Sequence, residues 1–528
     1  MHNQLPFFMA MIASIVLLTM LAKRLKIAYP ILLVVGGLLV SIIPGMPFVI
    51  IDPDLIFFIF LPPLLFEAAW ASSLKEMRKW WRIITSYAFL VVFFTALSVA
   101  VVTNYFIPGF TLAIGFLLGG IVSPPDAVST SAIMKFVKIP KSTAAILEGE
   151  SLLNDASSLI IFRFALIAVG TGQFIWQDAI SGFLWMVLAG LGIGLIAAWI
   201  FIQAHKRLPT DTSSDIAFTL ISPYFMYWIA EQAHASGVLA VVAGGLLMSQ
   251  KRLTFLNSAS RLRGLNVWEI FVFLLNGIVF LLIGLELPEV TAGLYADGIP
   301  MNEAIGYGVL VTAVLILARI ISSYGALVFT YIFRRQKLPH ASSFKRRLAM
   351  PLLLGWTGMR GVVSLAAALA IPLKLDNGAF FPHRNLILFI TFVAILLTLV
   401  VQGLTLPILI KKTKLFDSFI DEEREDETRR QMKIGLKQEV HKFLKHKYDT
   451  EWQGNESMAK FIQHWEERIK VTEADTWMNE RTKTIFLEMI EKQRNYLVEL
   501  NKDPLINESI IREQLYQLDL EEERLRVV

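Results

Sequence analysis

The sequence predicts an all-α polytopic membrane protein of about thirteen transmembrane helices, followed by a helical tail. Three observations carry this prediction. First, 55% of the 528 residues are hydrophobic and the mean hydropathy is +0.57, with apolar runs of about 20 residues recurring along the chain. Second, composition changes near Lys411. Residues 1–410 carry 27 Lys/Arg and 18 Asp/Glu, net +9, whereas residues 411–528 carry 22 and 26, net −4. This divides the chain into a membrane domain, 1–411, and a cytoplasmic helical tail, 412–528. Third, Lys and Arg alternate from loop to loop in the way membrane orientation requires.

The spans follow in order. The first, 5–22, has no basic segment before it and is expected to stay as a span, not to be cleaved as a signal peptide. The second and third, 28–45 and 54–71, follow; the third contains Glu67. The fourth, 83–105, comes after a basic stretch, the fifth, 110–134, is interrupted by prolines, and the sixth, 142–170, is rich in polar residues. The seventh, 177–204, leads to Lys206-Arg207, and the eighth and ninth, 213–232 and 236–250, flank Glu231 and His234. The tenth to thirteenth are 265–287, 303–333, 348–372 and 385–410.

Loops after odd-numbered spans hold 22 Lys/Arg, from Lys23 and Arg24 to Arg346 and Arg347; loops after even-numbered spans hold 2, Lys374 and Arg384. The positive-inside rule then puts the amino terminus outside the inner membrane and the tail in the cytoplasm. The overall charge of +5 thus reads as orientation signal, not nucleic-acid binding. The absence of cysteine excludes disulfides, thiolate catalysis and Cys-based metal sites. Neither a nucleotide-binding P-loop nor a His/Glu metalloprotease spacing is present, which argues against an ATP-driven pump or a membrane enzyme.

Ionisable groups in hydrocarbon cost several kcal/mol, so intramembrane charges mark function. Span six runs Glu148-Gly149-Glu150-Ser151-Leu152-Leu153-Asn154-Asp155-Ala156-Ser157-Ser158. At helical spacing Ser151 and Asp155 share one face, with Glu150 and Asn154 beside them. A carboxylate with hydroxyl and amide oxygens can replace part of the water shell of a hard cation such as Na⁺ or Li⁺, or it can hold a proton. One site with two mutually exclusive ligands is the minimum that exchange requires. The alternative is a polar network that only holds helices together.

Span five is broken at Ser123-Pro124-Pro125-Asp126, where consecutive prolines remove donors and free carbonyls that must line a cavity or meet protein partners. Span twelve carries Gly355-Trp356-Thr357-Gly358-Met359-Arg360-Gly361, whose glycines loosen the helix and whose arginine needs a counterion. The two spans are seven apart and so run in opposite directions. Paired breaks of opposite sense suggest an inverted repeat of six spans on each side of span seven. Glu67 either faces the ion cavity or pairs with a helix-end cation. Arg163 and Arg319, also within spans, either pair with acids or reach an interface by snorkelling and receive no role, and Glu231 and His234 are expected at an outer helix end. In the tail, Asp421 to Glu427 is an acidic run; Met432 to Tyr448, Lys460 to Ile469 and Leu505 to Leu525 suggest amphipathic helices, with breaks at Gly454 and Pro504.

Ser123-Pro124-Pro125-Asp126, Gly149 to Asp155 and Gly358-Met359-Arg360-Gly361 resemble the signatures of NhaP/NHE-type sodium/proton antiporters, of the monovalent cation:proton antiporter superfamily. Leu61 to Glu67 and the region from Ala230-Glu231 to Gly245 extend the resemblance over roughly residues 1–410. It implies a homodimer in which a mobile core with crossed broken helices moves against a dimerisation domain. It implies Asp155 as the cation- and proton-binding carboxylate, with Ser151 and Glu67 contributing to coordination of Na⁺. A backbone carbonyl near Pro125 is implied as a ligand, with Asp126 beside it, Asn154 as the residue that orients the site, and a structural ion pair between Glu150 and Arg360. No cofactor is implied; Na⁺ and H⁺ are substrates. The Asn154-Asp155 pair resembles the electroneutral branch, consistent with one carboxylate carrying one Na⁺ or one H⁺. The chain departs from the family at the first break, where Pro125 stands in place of a common Thr and Ala127 in place of a Pro. A K⁺/H⁺ exchanger on the same scaffold, or an ion-sensing channel, is the alternative.

Overall fold

The structure is a computed structural model. It describes residues 5–41, 53–126, 129, 141–172, 176–333, 351–375, 378–413, 435, 480–500 and seven positions between 514 and 522. The chain forms two compact units, Met1–Phe416 and Asp417–Val528.

In the first unit, hydrogen-bonded helices satisfy the backbone of the apolar runs. These are α1 (Leu5–Leu25), α2 (Tyr29–Ser41), α3 (Pro53–Ala71), α4 (Leu74–Phe106), α5 (Leu112–Val122) and α6 (Lys141–Thr171). There follow α7 (Trp176–Arg207), α8 (Thr212–Gln232), α9 (Gly237–Phe255), α10 (Ser258–Leu285), α11 (Leu287–Ala296) and α12 (Met301–Phe333). A short helix at 351–356 precedes α13 (Val362–Leu369). Last comes α14 (Arg384–Leu397), which continues through a π-helical turn at Thr398–Gln402 into Gly403–Thr413. Seven of the described helices are long and apolar enough to cross a membrane, and three more are shorter and apolar. Among the described residues the only β-type pairing is an isolated bridge between Lys374 and Phe380.

Helix occupies part of every range expected from the sequence, with two differences. α4 begins at Leu74, not near 83, because Ser73 caps it by accepting from Glu76 N at 3.4 Å. Its first three turns are amphipathic, so the basic stretch Lys75–Arg82 is helical surface and not loop. A π-helical turn at Ser86–Val91 then joins it to the apolar remainder. The second difference is α11, a separate helix that starts with Pro288 in its first turn. The break expected in span twelve is present: it is two helices separated by a non-helical stretch at 357–361. The basic residues at 135–138 and 334–347, Ala127, the acidic run 421–427, the stretches 432–448 (apart from 435) and 460–469, Gly454 and Pro504 lie outside the described residues.

Within the unit the helices pack as two bundles. One comprises α4, α5, α6, α12, α13 and α14; the other comprises α1, α2, α3, α7, α8, α9 and α10. Glycine permits the closest approach. At Gly37 of α2 and Gly284 of α10 a Cβ would run into the backbone of the facing helix, so these two helices touch main chain to main chain. α6 meets the second bundle along α3 and α9. In the second unit, α15 (Glu480–Leu500) is largely exposed, and its Arg494 pairs with Glu491 at 2.8 Å and Glu522 at 2.7 Å.

Candidate cation and proton site

The two helix breaks meet in space beside α6. Asp126 N donates to Met359 O at 2.7 Å, tying the first break to the second. α5 ends at Val122, and its freed carbonyl accepts from Arg360 Nε; Arg360 Nη1 donates to Gly358 O. The Arg360 backbone N–H is itself taken up by Thr398 Oγ1 at 3.0 Å, from the π-helical turn of α14. Broken helices leave carbonyl and amide groups without intrahelical partners, and in a low-dielectric interior each must be met. Arg360 meets two of them with charge-assisted donors.

α6 passes this crossing with its polar residues. Asn154 is fully buried, and its Nδ2 donates to Pro125 O at 3.3 Å, which holds the proline carbonyl at the level of Asp155. Asn154 Oδ1 accepts no hydrogen bond from protein. Ser157 Oγ donates to Ala88 O at 2.5 Å, a carbonyl inside the π-helical turn of α4, and Ser158 Oγ donates to Asp155 O at 3.0 Å. Asp155 itself is 8% exposed and lines a cavity of about 700 Å³. Ser151, Glu67 and Asp126 line the same cavity, as do Tyr29 of α2 and Asn276 of α10.

Asp126 is close enough to interact electrostatically with Asp155. Asp126 Oδ2 accepts from Ser129 N at 3.0 Å and from Ser129 Oγ, so the carboxylate caps the chain that follows the first break. Across from it, a Cβ at Gly361 would stand 2.6 Å from Asp126 Cγ. Only glycine lets the second break approach this carboxylate so closely.

The predicted pair between Glu150 and Arg360 is not formed. Glu150 pairs with Arg319 of α12, Oε1 to Nη1 at 2.7 Å and Oε2 to Nη2 at 3.0 Å. Arg360 sits at the break, where bare carbonyls lie nearer than any side-chain acid; Arg319 projects from an intact helix and has Glu150 within reach. The other predicted site residues, Asp155, Ser151, Glu67 and Asp126, come together on one cavity, and Asn154 and the Pro125 carbonyl are joined by a hydrogen bond. Glu67 lines this cavity. Sequence reasoning left Arg319 without a role and missed Tyr29 and Asn276. Arg319 carried a signal, being an arginine within a span. So did Asn276, a lone amide in Phe273-Leu274-Leu275-Asn276-Gly277, buried with its Oδ1 unpartnered. Tyr29 carried none.

The oxygen-rich lining suits a hard monovalent cation or a proton. Among the described residues no group of three or more His, Cys, Asp or Glu side chains is placed to hold a metal ion as a closed site. A cavity ending on a buried acid, where two broken helices cross, defines a secondary-transporter type of membrane protein.

Comparison with known proteins agrees. The family described as sodium/hydrogen exchanger, transmembrane, matches residues 10–412, and the chain belongs to it. The chain is 33% identical to the sodium, potassium, lithium and rubidium/H⁺ antiporter of Bacillus pumilus over 393 residues, 73% of this chain and 58% of that protein. It is 32% identical to the Na⁺/H⁺ antiporter ApNhaP of Aphanothece halophytica over 394 residues, 74% of this chain and 70% of that one. The chain therefore spans little more than half the length of the Bacillus relative. Its fold matches the sodium proton antiporter MjNhaP1 of Methanocaldococcus jannaschii with a TM-score of 0.61 at 19% identity, over 78% of this chain and 99% of that structure.

Proposed function

We propose that the protein exchanges Na⁺, and Li⁺ in its place, for H⁺ across the cell membrane by alternating access. The observation that carries this reading is the place of Asp155: buried, at the crossing of the two breaks, and reached by one cavity. A carboxylate there cannot remain charged and empty while it crosses a low-dielectric barrier, so it moves with a cation or with a proton. With one such carboxylate per cycle, the exchange is electroneutral, one for one.

In this reading Asp155 is the carrier, Ser151 and Asn154 Oδ1 are neighbouring oxygen donors, and Asn154 fixes the Pro125 carbonyl. Glu67 and Asp126 contribute negative charge on the cavity side. Glu150 and Arg319 brace α6 against α12, and Arg360 seals the broken ends. The cavity is lined by Lys23, Ser72 and Glu148, at the end of the bundle that carries basic loops, so the conformation is open toward the cytoplasm. The amino terminus is outside and the tail cytoplasmic. The protein works as a homodimer in the inner membrane, extruding Na⁺ at the expense of the proton gradient and contributing to pH homeostasis.

A second reading, K⁺ transport by the same site, is favoured by the Bacillus relative, whose name includes potassium and rubidium. Reconstituted vesicles carrying an internal pH probe and challenged with Na⁺, Li⁺, K⁺ or Rb⁺ distinguish the two. Proton release driven by Na⁺ and Li⁺ alone supports the first reading. Equal responses to K⁺ replace it with the second, and current without proton counterflow would exclude both.

A further inference from the structure

α6 belongs to the bundle that carries Asp155, and α8 to the other. An ion pair joins them: Arg163 Nη2 lies 2.5 Å from Glu231 Oε2. The second oxygen of Glu231 accepts from Gly237 N, the first residue of α9, at 3.3 Å. The carboxylate is thus fastened to its own bundle and offers one oxygen to α6. By contrast, the pairs Glu150–Arg319 and His205–Asp215 each stay inside one bundle.

The position of this pair relative to the cavity is the second observation. Arg163 lies eight residues beyond Asp155 on α6, roughly 12 Å along the axis. The cavity reaches Asp155 from the opposite direction, and α6 contributes Glu148, Ser151, Leu152 and Asp155 to it but nothing further along. Beyond Asp155, Ala156 and Leu159 pack with Leu239 and Val242 of α9 in one apolar cluster. Arg163 and Glu231 therefore stand past the closed side of the site. Their side chains are 37% and 30% exposed, so the pair is not sealed in the protein interior. A half-exposed ion pair biases an equilibrium only a few-fold, which suits a tie that must open in every cycle.

We infer that Arg163 and Glu231 form a gate on the face opposite the Lys/Arg-rich loops. The pair closes when Asp155 is open to the basic-loop side and parts when the α6 bundle shifts to expose Asp155 to the other side. The inference deepens the exchange reading and rests on it.

The chain has no cysteine, so a single thiol introduced by Leu159→Cys reports the closed region directly. The full-length protein, in membranes, is exposed to a membrane-impermeant maleimide from the face opposite the basic loops. Arg163→Gln and Glu231→Gln, each in the Leu159→Cys background, are expected to raise the labelling rate about two- to fivefold. Gln at 231 keeps an acceptor for Gly237 N, which preserves the α8–α9 turn. Arg163→Lys, which keeps a cation opposite Glu231 and leaves the Gly237 contact intact, is expected to label at the rate of Leu159→Cys alone. Labelling of either Gln variant at the unaltered rate, or a raised rate in Arg163→Lys, would overturn the gate. Sodium-driven proton flux by the unaltered chain, measured in vesicles alongside, tests the exchange reading separately. Flux without any labelling change removes the gate alone; a labelling change without flux removes the exchange reading and leaves the tie between the bundles.

Discussion

Glu150 and Arg319 form an ion pair inside the first helical unit, 2.7 Å apart, with side chains only 1% and 2% exposed. The pair fixes the orientation of α6 five residues before Asp155, and it links α6 to α12, whose sequence lies far down the chain. Removing one partner would leave the other charge buried and unmatched. Arg319→Ala is therefore expected to destabilise the protein by about 3–5 kcal/mol. A thermal-unfolding assay in detergent checks this; a midpoint equal to that of the unaltered chain would show that the pair carries no such weight.

Asp155→Asn keeps size and hydrogen bonding but can neither bind a cation as a carboxylate nor deliver a proton. Insertion and thermal stability should be retained and exchange abolished. Robust Na⁺-dependent proton flux from this variant in vesicles would remove Asp155 from the carrier role.

Arg360→Ala should act mainly on folding, because the carbonyls of Val122 and Gly358 lose their donors in a buried place. Each such group left unmet costs about 1–3 kcal/mol. Yield and unfolding midpoint should fall together. A variant of normal stability that had lost transport would instead point to a direct role for the guanidinium in ion handling.

Gly361→Ala puts a methyl group 2.6 Å from Asp126 Cγ, so one of the two breaks must shift. Overpacking of this kind costs about 1–3 kcal/mol. The apparent cation affinity should weaken as Asp126 is displaced, with the change visible in the KM for Na⁺ measured by proton release. An unchanged KM would separate Asp126 from the cation path.

Competition for one carboxylate also fixes the direction of a pH effect. At a fixed sub-saturating Na⁺ concentration, raising the pH removes the competing proton, so the apparent KM for Na⁺ should fall. The check is a Na⁺ titration of flux at several pH values. A KM independent of pH would mean that the two ligands do not share a site.

Much of this protein is written in short-range pattern. Apolar runs, the alternation of Lys and Arg between loops, the prolines at 124 and 125, and the placement of Ser151 and Asp155 one helical turn apart are all local features. Each was therefore legible without coordinates, as were both helix breaks and the cavity-lining acids Asp126, Asp155 and Glu67. The start of α4 was not, because a basic amphipathic segment at a membrane boundary looks like loop when judged by hydropathy alone.

What only the tertiary structure decided was which charges meet. The sequence offers three arginines within spans, Arg163, Arg319 and Arg360, and nothing in it ranks them as partners for Glu150 or Glu231. Packing assigns Arg319 to Glu150, Arg163 to Glu231, and Arg360 to the backbone of its own crossing. The reason is physical: a buried charge is satisfied within a few ångströms, and which group lies that close is set by how rigid helices distant in sequence are brought together.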